Sequence, residues 1–79
     1  MKVIVWSKYN CQQCEQAKML LKQNNMVYEE RKIGDGWYKE DLLEAVPTAK
    51  SVPQIFFDDE YVGGLQELKQ KLTQKEITQ

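Results

Sequence analysis

Val3–Ile4–Val5–Trp6 is an unbroken β-branched and aromatic run, the pattern of a strand covered on both faces. A polar stretch, Ser7–Asn10, follows as a loop. From about Cys11 to Asn24 the apolar positions Cys14, Ala17, Leu20 and Leu21 recur at helical spacing, with Gln, Lys and Glu on the other side. Asn24–Asn25 supplies the stop, because Asn tolerates the left-handed backbone that closes helices. Met26–Ile33 alternates loosely and predicts a half-exposed second strand. Gly34–Asp35–Gly36 reads as a turn, with Asp35 the expected N-cap of a second helix over Trp37–Val46. That helix carries the apolar stripe Tyr38, Leu42, Ala45 and Val46, and Pro47 ends it. Gln54–Phe57 predicts a third strand, Asp58–Glu60 a hairpin turn, and Tyr61–Val62 a short fourth strand closed by Gly63–Gly64. Leu65, Leu68 and Leu72 mark a third helix, and the Gln- and Lys-rich tail after about residue 74 is expected to fray.

The order β-α-β-α-β-β-α fits a single α/β domain over residues 1–79. A β-α-β opening requires a right-handed crossover and a parallel strand pair, and the late hairpin adds antiparallel strands. The expected result is a mixed four-stranded sheet with helices on both faces, a layout that resembles the thioredoxin-like fold.

Composition enters mainly by exclusion. The chain is 42% hydrophobic and 29% charged, too apolar and too balanced for disorder. Eleven Lys and Arg against 12 Asp and Glu leave a net charge of −1, so no long-range field gathers nucleic acid or an anionic membrane. With no His, there is no Ser-His-Asp triad, Cys-His protease pair or His-ligated zinc. Two Cys are too few for a secreted disulfide scaffold. The longest apolar run, Val3–Trp6, is far short of the ~18 residues that span a bilayer and of a signal peptide's apolar region. The expected compartment is the cytoplasm, where thiols stay reduced.

Those two cysteines carry the chemistry. Cys11-Gln12-Gln13-Cys14 falls where the first strand hands over to the first helix. Residues at i and i+3 share a helix face with Cβ atoms ~5–6 Å apart, which a modest rearrangement brings within disulfide range. Cys11 belongs at the helix N-terminus, where unpaired N–H groups and the positive dipole end stabilise a thiolate. Such placement lowers a thiol pKa from ~8.5 into the range ~3.5–7.5. Cys14, one turn inward, is the protonated resolving partner. The same spacing also fits two inert core cysteines or half of a metal site completed by a second chain. Lys8 stands three residues before Cys11, as an ordinary solvated lysine or as a charge beside the thiolate and a substrate carboxylate.

Taken together, Lys8 with the Cys11–Cys14 motif, then Ser51-Val52-Pro53-Gln54-Ile55-Phe56, then Gly63-Gly64, resemble the three ordered motifs of the glutaredoxin family, nearest to the small dithiol type of bacteria and their phages. The element order agrees up to about Leu72. The resemblance implies that Cys11 attacks and Cys14 resolves. It implies that Pro53 is a cis-proline facing the pair and that the Val52 backbone receives the cysteinyl part of glutathione. Lys8 would hold the glycine carboxylate, and Gly63 and Gly64 would admit the γ-glutamyl end. Gln13, Ser51, Gln66 and Glu67 complete the expected glutathione contacts, with no metal.

Departures are visible too. Gln12-Gln13 replaces the usual Pro-Tyr and removes an aromatic wall, and Ser51 replaces Thr but keeps the hydroxyl. Leu65-Gln66-Glu67 stands where Asp residues are usual, which leaves Glu67 to meet the glutathione amino group. The function so implied is a monomeric, glutathione-dependent thiol–disulfide oxidoreductase acting on protein disulfides or glutathione mixed disulfides. Ribonucleotide reductase is its natural client, in the host cytoplasm if the chain is phage-encoded. Two rivals are a redoxin reduced by thioredoxin reductase and an iron–sulfur dimer held by Cys11 of two chains with two glutathiones. Trp37 is expected to pack on the second helix or the sheet edge.

Overall fold

The computed structural model describes residues 1–77, as β1 (Val3–Lys8), α1 (Gln12–Gln23), β2 (Tyr28–Ile33), α2 (Lys39–Ala45), β3 (Gln54–Phe57), β4 (Glu60–Gly63) and α3 (Leu65–Ile77). The fraying expected after about residue 74 falls on residues whose side chains, and for 78–79 whose backbone, lie outside the described residues. The element order is the one read from the pattern, and the sheet is four-stranded with order β2-β1-β3-β4. β1 pairs parallel with β2, from Val3 opposite Tyr28 to Lys8 opposite Ile33, and antiparallel with β3. β3 pairs antiparallel with β4 across a register shift at Ile55/Phe56. This is the thioredoxin-like layout.

Alternation along β1 creates two cores. Val3 and Val5 face α1 and α3 and join Ala17, Leu21, Ile55, Phe57, Leu65, Leu68 and Leu72 in the larger one. Trp6 faces the other way and packs with Leu42 and Val46 of the α2 region, Ile4 and Phe56 lying against them. Val5, Leu21, Ile55 and Leu68 are fully buried, each contributing about 1.5–3 kcal/mol of transfer free energy. The helices thus cover both faces, as the order of elements requires.

Several boundaries differ from expectation. β1 runs on through Ser7 and Lys8, which the polar pattern assigned to a loop, because parallel pairing with Lys32 and Ile33 satisfies their backbone. β2 starts at Tyr28, leaving Val27 exposed, and β4 includes Glu60 and Gly63. α2 begins at Lys39 with Tyr38 as N-cap, so Asp35 is not its cap. The Gly34 N–H bonds the Trp37 carbonyl at 2.9 Å, and Gly34 and Gly36 take φ of +93° and +88°. That tight turn holds Trp37 in a bridge with Ile33 and delays the helix. Tyr38 and Ala45, assigned to the buried stripe, are exposed, whereas Leu42 and Val46 are buried. Trp37 packs on the sheet, edge-on to Trp6 at 5.3 Å between ring centroids, with the Arg31 guanidinium 4.5 Å above its ring.

Lys18 departs from its expected place on the solvated side of α1. It is buried, and its ammonium bonds Glu30 of β2 at 2.9 Å and Glu15 at 2.7 Å. The buried Ser7 hydroxyl donates to the same Glu30 carboxylate at 2.6 Å. Burial of Lys18 is tolerable because two carboxylates meet its charge.

Candidate active site

Cys11 is the N-cap of α1, with extended backbone (φ −116°, ψ 101°), and its sulfur accepts the Cys14 N–H at 3.1 Å. A side-chain acceptor at this position satisfies one of the four N–H groups a helix start leaves open. The same bond and the dipole end favour negative charge on Cys11 when the pair is reduced. Cys11 and Cys14 are joined in a disulfide across a Cα–Cα distance of 5.2 Å, the oxidised form of a dithiol. Cys14 is fully buried and Cys11 partly exposed, so only Cys11 can meet a partner from solution. Neither thiol is free, and the inert-core reading of the spacing does not hold.

The Val52–Pro53 peptide is cis, and the Val52 carbonyl oxygen lies 3.9 Å from the Cys11 sulfur. Beside the disulfide opens a cleft of about 480 Å³. Gln13, Ser51, Val52, Pro53, Gly63, Gly64, Gln66 and Glu67 all line it, so eight of the sequence-derived contact residues converge there. Lys8 does not line it. As the last residue of β1 it borders an adjoining groove of about 210 Å³ that shares Ser51 and Val52 with the cleft.

Glu67 has a job besides any ligand. Its carboxylate accepts the Gly64 N–H at 2.8 Å and so caps the start of α3 from three residues inside. A Cβ on Gly63, where φ is +121°, would stand 2.8 Å from the Glu67 Cγ and 2.9 Å from its Cβ. The glycine is needed by this capping arrangement even before a ligand is considered. Four lining residues were not among the contacts expected from the sequence: Gln54, Tyr61, Val62 and Leu65, of which the first two carry polar groups. Gln54 is buried, its Nε2 donating to the Ser51 carbonyl at 2.8 Å, and the Tyr61 hydroxyl donates to its Oε1. Gln54 read as an ordinary strand residue and Tyr61 as half of a two-residue strand. The one available signal was that each lies in a short strand next to a chemistry-bearing motif. Among the described residues no group of three or more Cys, Asp or Glu side chains stands close enough to hold a metal ion, and no helix is long and apolar enough to cross a membrane.

The family model named glutaredoxin matches residues 3–62, which spans the cysteine pair and the Val52–Pro53 turn and stops just before Gly63. Glutaredoxin 1 of Rickettsia felis is 38% identical over 64 residues, which cover 78% of this chain and 63% of that protein. The crystal structure of glutaredoxin 1 from Francisella tularensis superposes with a TM-score of 0.80 at 29% identity, covering 99% of this chain and 98% of the other. A buckwheat glutaredoxin solved with glutathione has a TM-score of 0.80 at 21% identity, covering 96% of this chain and 72% of the other, a likeness of fold. The chain belongs to the glutaredoxin family, with Cys11 and Cys14 joined in a disulfide inside the matched segment.

Proposed function

We propose that the protein is a glutathione-dependent thiol–disulfide oxidoreductase, and the observation that carries this reading is the partly exposed Cys11 at a helix start, disulfide-linked to a fully buried Cys14 beside an open cleft. In the reduced protein the Cys11 thiolate attacks one sulfur of a substrate disulfide. A Cys11–substrate mixed disulfide forms and the other sulfur leaves as a thiolate. Cys14 then loses its proton and attacks the Cys11 sulfur, closing the internal disulfide and releasing the second substrate thiolate. One glutathione thiolate opens the internal disulfide at Cys11 and a second displaces it, so two glutathiones become one glutathione disulfide and both cysteines are thiols again. The buried position of Cys14 supports Cys11 as the sulfur of first attack in both directions.

Glutathione is supported as the reductant by the cleft that Gln13 and Val52 line, with the Val52 carbonyl 3.9 Å from the Cys11 sulfur, so that an extended cysteinyl segment can pair with the Val52 backbone as an added strand. Lys8, across Ser51 and Val52, is available to a carboxylate that reaches over that edge. Proteins with disulfides are the client class, ribonucleotide reductase among them. The test follows NADPH oxidation coupled through glutathione and glutathione reductase, with thioredoxin reductase as the competing donor. Saturable turnover with glutathione is expected, abolished in Cys11→Ser. A stable glutathione adduct on Cys11 is expected by mass spectrometry in Cys14→Ser. Turnover with thioredoxin reductase alone would overturn the reading.

A further inference from the structure

The cleft wall carries an aromatic residue, Tyr61, whose hydrogen-bonding state follows from its neighbours. The Ser51 carbonyl can only accept, so the Gln54 amide must turn its nitrogen toward it, at 2.8 Å. The Gln54 oxygen therefore faces Tyr61, and the Tyr61 hydroxyl must donate to it. Gln54 is 7% exposed, so this amide has no solvent to trade with and its orientation is held. Tyr61 by contrast is 48% exposed, its ring tilted against Phe56 at 5.4 Å between centroids, and it lines the cleft. Its proton is committed inward, which leaves the phenolic oxygen with lone pairs only toward the cleft. The neighbouring Gly64 N–H is already taken by Glu67. This part of the wall thus presents one flat apolar face and one hydrogen-bond acceptor.

We propose that Tyr61 is a specificity-determining residue of the cleft: its ring packs against the bound glutathione and its oxygen accepts a hydrogen bond from one of that tripeptide's N–H groups. The proposal rests on glutathione being the ligand and adds the side chain that selects it. A ligand with an apolar edge and an N–H at that place gains both contacts, whereas a plain dithiol gains neither. Gln54 is a positioning residue in this arrangement, since it fixes which way the phenol proton points.

The experiment is steady-state reduction of a glutathionylated peptide, with glutathione varied, for wild type, Tyr61→Phe and Tyr61→Ala. Loss of one neutral hydrogen bond in Tyr61→Phe is expected to raise the KM for glutathione about fivefold. Its kcat is expected to stay within twofold, and Tyr61→Ala, which also removes the ring, should show the larger rise in KM. Alongside, the Tyr61 ring protons of reduced wild type are expected to shift in NMR spectra as S-methylglutathione, which cannot react, is added. An unchanged KM in Tyr61→Phe overturns the proposal, as does a parallel loss of kcat with unmoved ring signals, which would mark Tyr61 as scaffold. A wild type that never saturates with glutathione fails at the earlier step and sinks the proposed function, this inference with it.

Discussion

Gly63 shows how one missing side chain serves the site. Its φ of +121° is a region that side-chain-bearing residues rarely adopt, and a methyl group there would strike the Cβ and Cγ of Glu67, not the far end of a flexible chain. Gly63→Ala therefore has to displace Glu67 from the Gly64 N–H or strain the backbone. The expected cost is about 1–3 kcal/mol in urea unfolding, and a change below about 0.5 kcal/mol would contradict the capping role. At this scale the cysteines' place at a strand–helix junction was legible in advance, because spacing and position are properties of the chain itself, whereas their pairing with each other is a result of the fold. Glu67 was read as a ligand contact but not as a cap, since its reach back to Gly64 exists only once α3 has begun.

At the scale of elements, α2 holds the clearest lesson. Pattern alone started it at Trp37 with Asp35 as cap, whereas Tyr38 is the cap and the Asp41 carboxylate accepts the Tyr38 N–H at 2.9 Å. An acid in the first turn also meets the positive end of the helix dipole. Asp41→Ala is expected to cost about 0.5–1 kcal/mol by chemical denaturation, while Asp35→Ala stays within about 0.5 kcal/mol. The reverse ranking would restore Asp35 as the cap. The cause of the misreading is physical: Trp37 directly precedes the Tyr38–Leu42–Val46 stripe and nothing in the local pattern separates it from the helix, but the Gly34 turn and the Trp6 ring draw it into the sheet face. β2, Tyr28–Ile33, illustrates a different point. It lies at one edge of the sheet with Glu29, Glu30, Arg31 and Lys32 in its middle, charges that discourage pairing with another chain.

Across the whole molecule, Lys18, Glu15, Glu30 and Ser7 join α1, β1 and β2 through one charged cluster. Burial pushes the Glu30 carboxyl up, but the hydrogen bonds from Ser7 and Lys18 and the nearby charges outweigh it, and its pKa lies below its ordinary 4.5. Burial likewise pulls the Lys18 ammonium down, and its bonds to Glu15 and Glu30 outweigh that, holding it above its ordinary 10.5. A lowered carboxyl stabilises the fold above its unfolded pKa, and that contribution disappears as pH falls through the folded value. A raised ammonium stabilises the fold below 10.5, and its contribution disappears as pH climbs through the folded value. Stability should therefore be level between about pH 5 and 10 as far as this cluster decides it, and fall on both sides. Glu29, held down first by its hydrogen bond from Arg31, adds to the acid limb. Glu30→Gln is expected to lower stability at pH 7 by roughly 1–3 kcal/mol and to flatten the acid limb. Urea titrations from pH 3 to 7 measure both, and an acid limb as steep as wild type would remove Glu30 from the account.

The amino-acid order alone determined the strands and helices, their succession, the parallel opening and antiparallel close of the sheet, and the place of two cysteines at a helix start. Each follows from periodicity, turn chemistry or spacing, which act over a few neighbouring residues. Only the folded chain decided that Lys18 turns inward, that Lys8 borders the neighbouring groove, and that Tyr61 and Gln54 complete the cleft wall. Those outcomes depend on partners far along the chain — Glu30 for Lys18, Ser51 for Gln54 — and the energy of a buried charge or amide has no sign until its partner is in place.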